Sequence, residues 1–195
     1  MYSIVIKRAY SCTITFLEML EPLRFILDKS TIVLASASPR RKEILTNQGL
    51  SFVVRPSNVK EDLDKSKYQG KPFDYSVDTA ALKADDVYDK VTSEFPDGSL
   101  LVIGCDTVVT CGGNIYEKPR DKEDACRMLS KLSGSTHTVY SGVKVIWRGA
   151  HTSRKVTTFY EGTEVEMATL SDRIIEVSQY RKTNLKFITC ELKIT

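Results

Sequence analysis

The sequence predicts a mixed α/β fold, and three stretches predict it. Thr31-Ile-Val-Leu34 is a short β-favouring run that leads into small residues and a well-signalled helix start. Phe73 to Val91 repeats apolar residues at helical spacing. Leu100-Leu-Val-Ile103 is a second buried-type strand, and it runs into Gly104-Cys105-Asp106-Thr107. Strands alternating with helices are the pattern of an α/β domain. A chain of 195 residues holds one such domain, expected over residues 31–180 with an extension 1–30 and a tail 181–195.

After the first strand, Ala35, Ser36, Ala37 and Ser38 let the backbone approach a ligand closely. Ser38 is a good N-cap, and Pro39 suits the first helical position, where a missing N–H costs nothing. Arg40 and Arg41 follow in the first turn, where the helix dipole ordinarily attracts acids. Two arginines beside unpaired backbone amides suit an anion, above all a phosphate. The plain alternative is a solvated helix face for Arg40, Arg41 and Lys42; the strand, turn and cap favour the anion site.

Gly49 reads as the helix stop, and Leu50 to Arg55 as a second strand. Lys60 to Lys71 reads as a charged loop with Glu61, Asp62 and Asp64 clustered in it. Such carboxylates can hold a hard divalent cation, although most are merely solvated. In the long helix, Phe73, Val77, Ala80, Ala81, Ala84, Val87, Tyr88 and Val91 form one apolar stripe. Lys83 is expected just beyond its edge, with its stem on the packed face and its ammonium free to enter a cleft; Asp85, Asp86 and Lys90 should look outward.

Asp106 is expected at the carboxyl end of the 100–104 strand, where α/β proteins collect ligands. Residues 107–116 read as a hairpin about Gly112-Gly113, and Pro119 holds Lys118 extended. Asp121 caps a helix from about Lys122 to Leu132, which Ser133-Gly134 stops. Thr138 to Trp147 and Thr152 to Met167 read as long antiparallel strands, followed by a helix from Ser171-Asp172 to about Gln179.

Composition excludes several classes. A 42% hydrophobic and 27% charged chain is ordinary for a water-soluble globular protein, and no run approaches the length of a membrane span. The net charge of +3 resides in the tail, where Arg181, Lys182, Lys186 and Lys193 face Glu191, so the body is balanced and argues against a nucleic-acid partner. Five cysteines without a close pair, and only His137 and His151, support neither a disulfide framework nor a zinc site. A reduced, cytoplasmic setting is expected. Residues 1–17 carry no acid and only Lys7 and Arg8 as bases, a weak targeting signature; residues 1–18 are expected to be poorly ordered and dispensable, with Met19 an alternative start.

Ser36-Ala-Ser-Pro-Arg-Arg41, Gly104-Cys-Asp-Thr-Val-Val109, Glu117-Lys-Pro119 and Leu132-Ser-Gly-x-x-His-x-Val139 together resemble the Maf (septum-formation-inhibitor-like) nucleoside triphosphate pyrophosphatases. The resemblance implies a mixed central sheet with flanking helices, two lobes around a nucleotide cleft, and a usually dimeric form in which a second copy is the partner. It implies hydrolysis of a nucleoside triphosphate to monophosphate and pyrophosphate with Mg²⁺ or Mn²⁺. Ser36, Arg40, Arg41 and Thr107 fall on substrate-binding positions, Glu61 and Asp106 on metal and catalytic carboxylates, and Lys83 and Lys118 on phosphate-contacting lysines. Asp106 is the expected general base. The lack of an insertion between Pro39 and Arg40, with Asp-Thr and Glu-Lys-Pro, resembles the subgroup acting on dTTP and UTP. Cys105 stands for a usual alanine and Ser141 for a usual threonine. From about Val177 the family's closing segments are missing, so a non-catalytic nucleotide-binding or dimerising relative is the alternative expectation.

Overall fold

A computed structural model describes residues 20–178. The expected disorder of residues 1–18, the tail 181–195 and the helix end at Gln179 lie outside the described residues.

Six strands form one mixed sheet: β1 (Ser30–Leu34), β2 (Val53–Val54), β3 (Ser99–Cys111), β4 (Asn114–Tyr116), β5 (Thr136–Arg148) and β6 (Lys155–Glu166). Their order is β2-β1-β3-β5-β6, with β4 paired to β3 off this path. β1 lies parallel to both β2 and β3, whereas β3, β5 and β6 run antiparallel. Among the described residues four helices longer than one turn accompany the sheet, α1 (Pro39–Asn47), α2 (Pro72–Val91), α3 (Lys122–Leu132) and α4 (Asp172–Ser178), with a single turn at Arg24–Leu27 before β1. The expected mixed α/β architecture is present.

The long helix α2 packs on one face of the sheet. Ala84, Val87, Tyr88 and Val91 close over Val33, Leu100, Val102 and Ile146. Two glycines let its backbone lie flush on the strands. A Cβ on Gly104 would sit 2.5 Å from the Ala80 carbonyl oxygen, and one on Gly142 would collide with the Ser76 and Val77 backbone. At the other end of the sheet α3 covers a second core of Val109, Leu132, Val139, Val165 and Met167. Ile175 of α4 packs on Ala125 and Leu129 of α3.

Several boundaries differ from the sequence reading. β2 is only Val53–Val54, not Leu50 to Arg55, because it pairs solely with Val33 and Leu34. β3 does not end at Gly104. Antiparallel pairing with β5 continues from Leu100↔Arg148 to Thr110↔Thr138, which satisfies the backbone of a 13-residue strand, and Gly104 serves helix approach instead of termination. The 60–71 segment contains a 3₁₀ turn at Lys65–Tyr68, capped by Asp64, whose side chain accepts from the Ser66 amide at 3.0 Å. In α2 the buried face includes Tyr75, Ser76, Thr79 and Lys83, while Phe73, Val77 and Ala81 are half-buried. Lys83 is therefore central on the packed face and not beyond its edge. Asp85 and Asp86 do not look outward either: Asp85 pairs with Lys144 and Arg154, and Asp86 accepts from Ser57 at 2.7 Å.

The β3–β4 hairpin turns at Gly112 and Gly113, both at positive φ, and α3 starts where Asp121 accepts from the Asp124 amide at 2.7 Å. Among the described residues Cys105 and Cys111 are free thiols, and no helix is long and apolar enough to cross a membrane.

The close approach at Gly142 sets the first prediction. Gly142→Ala should destabilise by about 1–3 kcal/mol, because rigid backbone must yield. Gly98→Ala, facing open space at an ordinary φ, should change little. Denaturant midpoints of the two variants check this; equal midpoints would refute a flush α2.

Candidate active site

The site forms where β3 loses its neighbours on one edge. β1 pairs with it only as far as Ile103, and pairing with β4 starts only at Val109. Residues 104–108 are left without a strand partner on that side. Successive side chains there point to opposite faces of the sheet. Asp106 turns toward α2, and Thr107 toward the side from which α1 sends Arg41.

On the α1 side, Ser36 is buried after β1, and its hydroxyl oxygen accepts from the Ser38 amide and from Arg41 Nη1 at 3.0 Å. Arg41 Nη1 also donates to the Cys105 carbonyl at 2.7 Å, and Nη2 to Thr107 Oγ1 at 3.1 Å. The Thr107 and Ser141 hydroxyls lie 3.1 Å apart. Every hydrogen-bond acceptor of Arg41 is neutral, so its shape is fixed without a carboxylate bonded to it directly. Among the described residues no carboxylate forms an ion pair with Arg41 or with Arg40 in the same turn. Ser38 occupies the N-cap without a side-chain capping bond, and Pro39 is helical from the first position. Fixed positive charge beside open helix amides is the arrangement an anion requires.

On the α2 side, Lys83 Nζ lies 2.7 Å from Asp106 Oδ1 and 2.8 Å from Glu61 Oε2. Lys83 and Asp106 are both 8% exposed. Burial pushes the Asp106 carboxyl above the ordinary aspartate range, opposed by the nearby Lys83 and Arg41 charges. Of the acidic cluster read in the loop, only Glu61 turns inward; Asp62 pairs with Lys60, and Asp64 caps the following turn. The Thr79 hydroxyl, one helical turn before Lys83, is fully buried with no hydrogen-bond partner.

Glu61 and Asp106 each place one carboxylate oxygen on the Lys83 ammonium, and such oxygens are the donors that a hard divalent cation takes, so a cation bound there would share them with Lys83. Among the described residues no cluster of three or more metal-ligating side chains occurs. Lys118 is exposed and has no hydrogen bond or ion pair among the described residues. The structure therefore joins Glu61, Lys83 and Asp106 in one group and Ser36, Arg41 and Thr107 in another, with Arg40 and Lys118 exposed or half-exposed alongside.

Sequence reasoning passed over Tyr75 and Glu117. Tyr75 is 1% exposed and donates to Glu117 Oε1 at 2.8 Å. A signal existed, since Tyr75, Thr79 and Lys83 recur every four residues on one helical face. The motif around Leu132 to Val139 belongs to the architecture. Ser133 accepts from the Leu170 amide at 2.7 Å, Gly134 takes a positive φ, and His137 is buried, which holds its imidazole pKa below the usual value.

Residues 31–187 match the family described as Maf-like protein. A Homo sapiens protein named "Probable bifunctional dTTP/UTP pyrophosphatase/methyltransferase protein" is 46% identical over 147 residues, which is 74% of this chain and 24% of the human protein. This chain therefore spans about a quarter of that relative's length. The dTTP/UTP pyrophosphatase of Agathobacter rectalis is 41% identical over 75% of this chain and 73% of its own length. Among solved structures, a HAM1 protein from Coxiella burnetii covers 82% of this chain and 96% of its own, at 12% identity and a TM-score of 0.40. With its arginine-bearing turn and its Lys83–Asp106–Glu61 group both at the open edge of β3, the chain belongs to the Maf-like family.

Proposed function

We propose that this chain hydrolyses a pyrimidine nucleoside triphosphate, dTTP or UTP, to the monophosphate and pyrophosphate. The observation that carries this reading is the meeting, at one open strand edge, of an arginine held by neutral acceptors and a buried Lys83–Asp106 pair flanked by the exposed Glu61. The relatives named dTTP/UTP pyrophosphatase support the choice of substrate. The non-catalytic alternative loses ground because Glu61, Lys83, Asp106 and Arg41 come together among the described residues.

In this reading Arg41, pinned by three neutral acceptors, and Arg40 beside it bind phosphate oxygens. Lys118, exposed and held extended by Pro119, reaches the phosphates that leave. Asp106 takes the proton of the attacking water, and its raised pKa makes it a stronger base than an exposed aspartate. Lys83 keeps that carboxylate ionised and oriented. Glu61 and Asp106 would hold a Mg²⁺ or Mn²⁺ ion, which supplies charge neutralisation on the phosphates when bound. Catalysis of this kind is positioning and electrostatics, which a rigid strand edge provides. The free thiols of Cys105 and Cys111 suit a reducing cytoplasmic setting.

Phosphorus NMR of the reaction with dTTP or UTP should show monophosphate and pyrophosphate. Asp106→Asn should lower turnover by about a hundredfold or more while binding persists. Arg41→Ala should act chiefly on nucleotide affinity. Orthophosphate as the released product, or a fast Asp106→Asn enzyme, would refute the assignment.

Excess chelator should abolish turnover, and added Mg²⁺ or Mn²⁺ should restore it. Glu61→Gln should raise the metal concentration required and leave metal-free nucleotide binding intact. Full turnover in chelator would remove Glu61 and Asp106 from a metal role.

The pH profile follows from the buried carboxyl. Asp106 works as a base only when ionised, so at metal concentrations low enough to leave its carboxyl unbound in the free enzyme the acidic limb of kcat/KM should fall above the ordinary aspartate range. Lys83→Met removes a neighbour that favours the ionised form, and should move the limb to higher pH. A limb that stays in place would show that Asp106 does not govern it.

A further inference from the structure

Glu117 precedes Lys118 directly and splits its carboxylate between two partners. Oε1 accepts the Tyr75 hydroxyl at 2.8 Å, and Oε2 receives Lys65 Nζ at 2.5 Å. The two partners come from different parts of the chain. Tyr75 belongs to α2, two turns before Lys83, and is buried to 1% exposure. Lys65 opens the 3₁₀ turn that follows the loop bearing Glu61.

That turn is fastened to α2 by more than the ion pair. The Tyr68 ring meets Tyr75 edge-on at 5.2 Å, its hydroxyl donates to Asp78 Oδ2 at 2.8 Å, and Lys65 Nζ stands 5.9 Å from the centre of the Tyr75 ring. Burial and the hydrogen bond to Glu117 push the Tyr75 phenol pKa up, and the charges of Glu117, Asp106 and Glu61 act in the same direction. Neither Glu61 nor Lys118 lies in a helix or strand. Their spacing is then set by whatever joins their two segments.

A bland explanation is that Glu117 simply satisfies a buried tyrosine, since a buried hydroxyl left without a partner is destabilising. That requires one carboxylate oxygen. It leaves unexplained why the second oxygen takes a lysine from the Glu61 segment, and why the acceptor is the residue attached to Lys118.

We propose that Tyr75, Lys65 and Glu117 form a latch of positioning residues, joining the segment that carries Glu61 to the segment that carries Lys118 across the buried end of α2. The consequence for turnover rests on the pyrophosphatase reading above; the joining of the two segments does not. Tyr75 acts as the fixed post, because its ring is packed and its only freedom is the hydroxyl direction. Glu117 transmits that position to both segments. With the latch open, Glu61 and Lys118 lose their common reference, although Asp106 and Lys83 on regular elements stay in place.

Two measurements on the full chain test this. In a double-mutant cycle, Tyr75→Phe and Lys65→Met should each lower kcat about tenfold with KM changed less than about twofold, since misplacement acts on the reacting geometry. The double variant should be little worse than the poorer single one, and Lys65→Arg should recover most of the loss. Additive losses, or wild-type kcat in Tyr75→Phe, would overturn the latch as a catalytic positioning device. Separately, hydrogen exchange should show amides of residues 60–68 opening about tenfold faster in Tyr75→Phe and in Glu117→Gln, while the 100–104 strand keeps its protection. Unchanged exchange at 60–68 would overturn the physical joining. If wild-type protein hydrolyses no nucleoside triphosphate, the functional reading fails, and the exchange measurement alone decides the latch.

Discussion

The flush seating of α2 on the sheet is the constraint from which the site follows. Gly104 and Gly142 remove the side chains that would hold the helix away, and the carbonyl of Ala80 and the backbone at Ser76 occupy that space. With the helix so close, Lys83 is buried, and its ammonium ends on the buried Asp106 and on Glu61 at the surface. Burying such a charge pair seldom adds stability, because both ions give up hydration; leaving either one alone costs roughly 3–5 kcal/mol. The pair is therefore a poor way to strengthen a core and a good way to keep an ionised carboxylate at a fixed point.

Charge is sorted by the strand. Because neighbouring residues of β3 face opposite ways, Asp106 meets the lysine and Glu61 on the α2 side, while Thr107 meets Arg41 on the other. A nucleotide lying across the bare edge between β1 and β4 would touch both sets. The gap itself results from topology: a parallel neighbour leaves at Ile103, and an antiparallel one arrives at Val109. A similar economy holds at Glu117, where a single carboxylate ties a buried phenol to a lysine from another segment.

Much of this was legible in the chain. Strand β1, the Pro39 helix start, α2, the Gly-Gly hairpin and the Asp121-capped α3 all carry local signals, namely periodicity, caps and turn glycines, and the structure has them. Less legible were the places where distant pairing overrides local preference. Gly104 looks like a strand end, but the ladder with β5 carries β3 on to Cys111. Lys83 looks like a boundary lysine, because nothing nearby in sequence announces two carboxylates from residues 61 and 106.

What the sequence determined by itself is the chemical inventory and the local conformations: small residues before an arginine-bearing helix, an aspartate after an apolar run, a lysine on an amphipathic helix, and a lysine before proline. These depend on residue type and spacing over a few positions. What only the tertiary structure decided is which of them meet. Arg41 finds the Cys105 carbonyl, Lys83 finds Asp106 and Glu61, and Tyr75 finds Glu117 across separations of 64, 23 and 42 residues for the three hydrogen bonds. Such meetings arise from strand order, register and helix approach, and short-range propensity carries no information about distances of that kind.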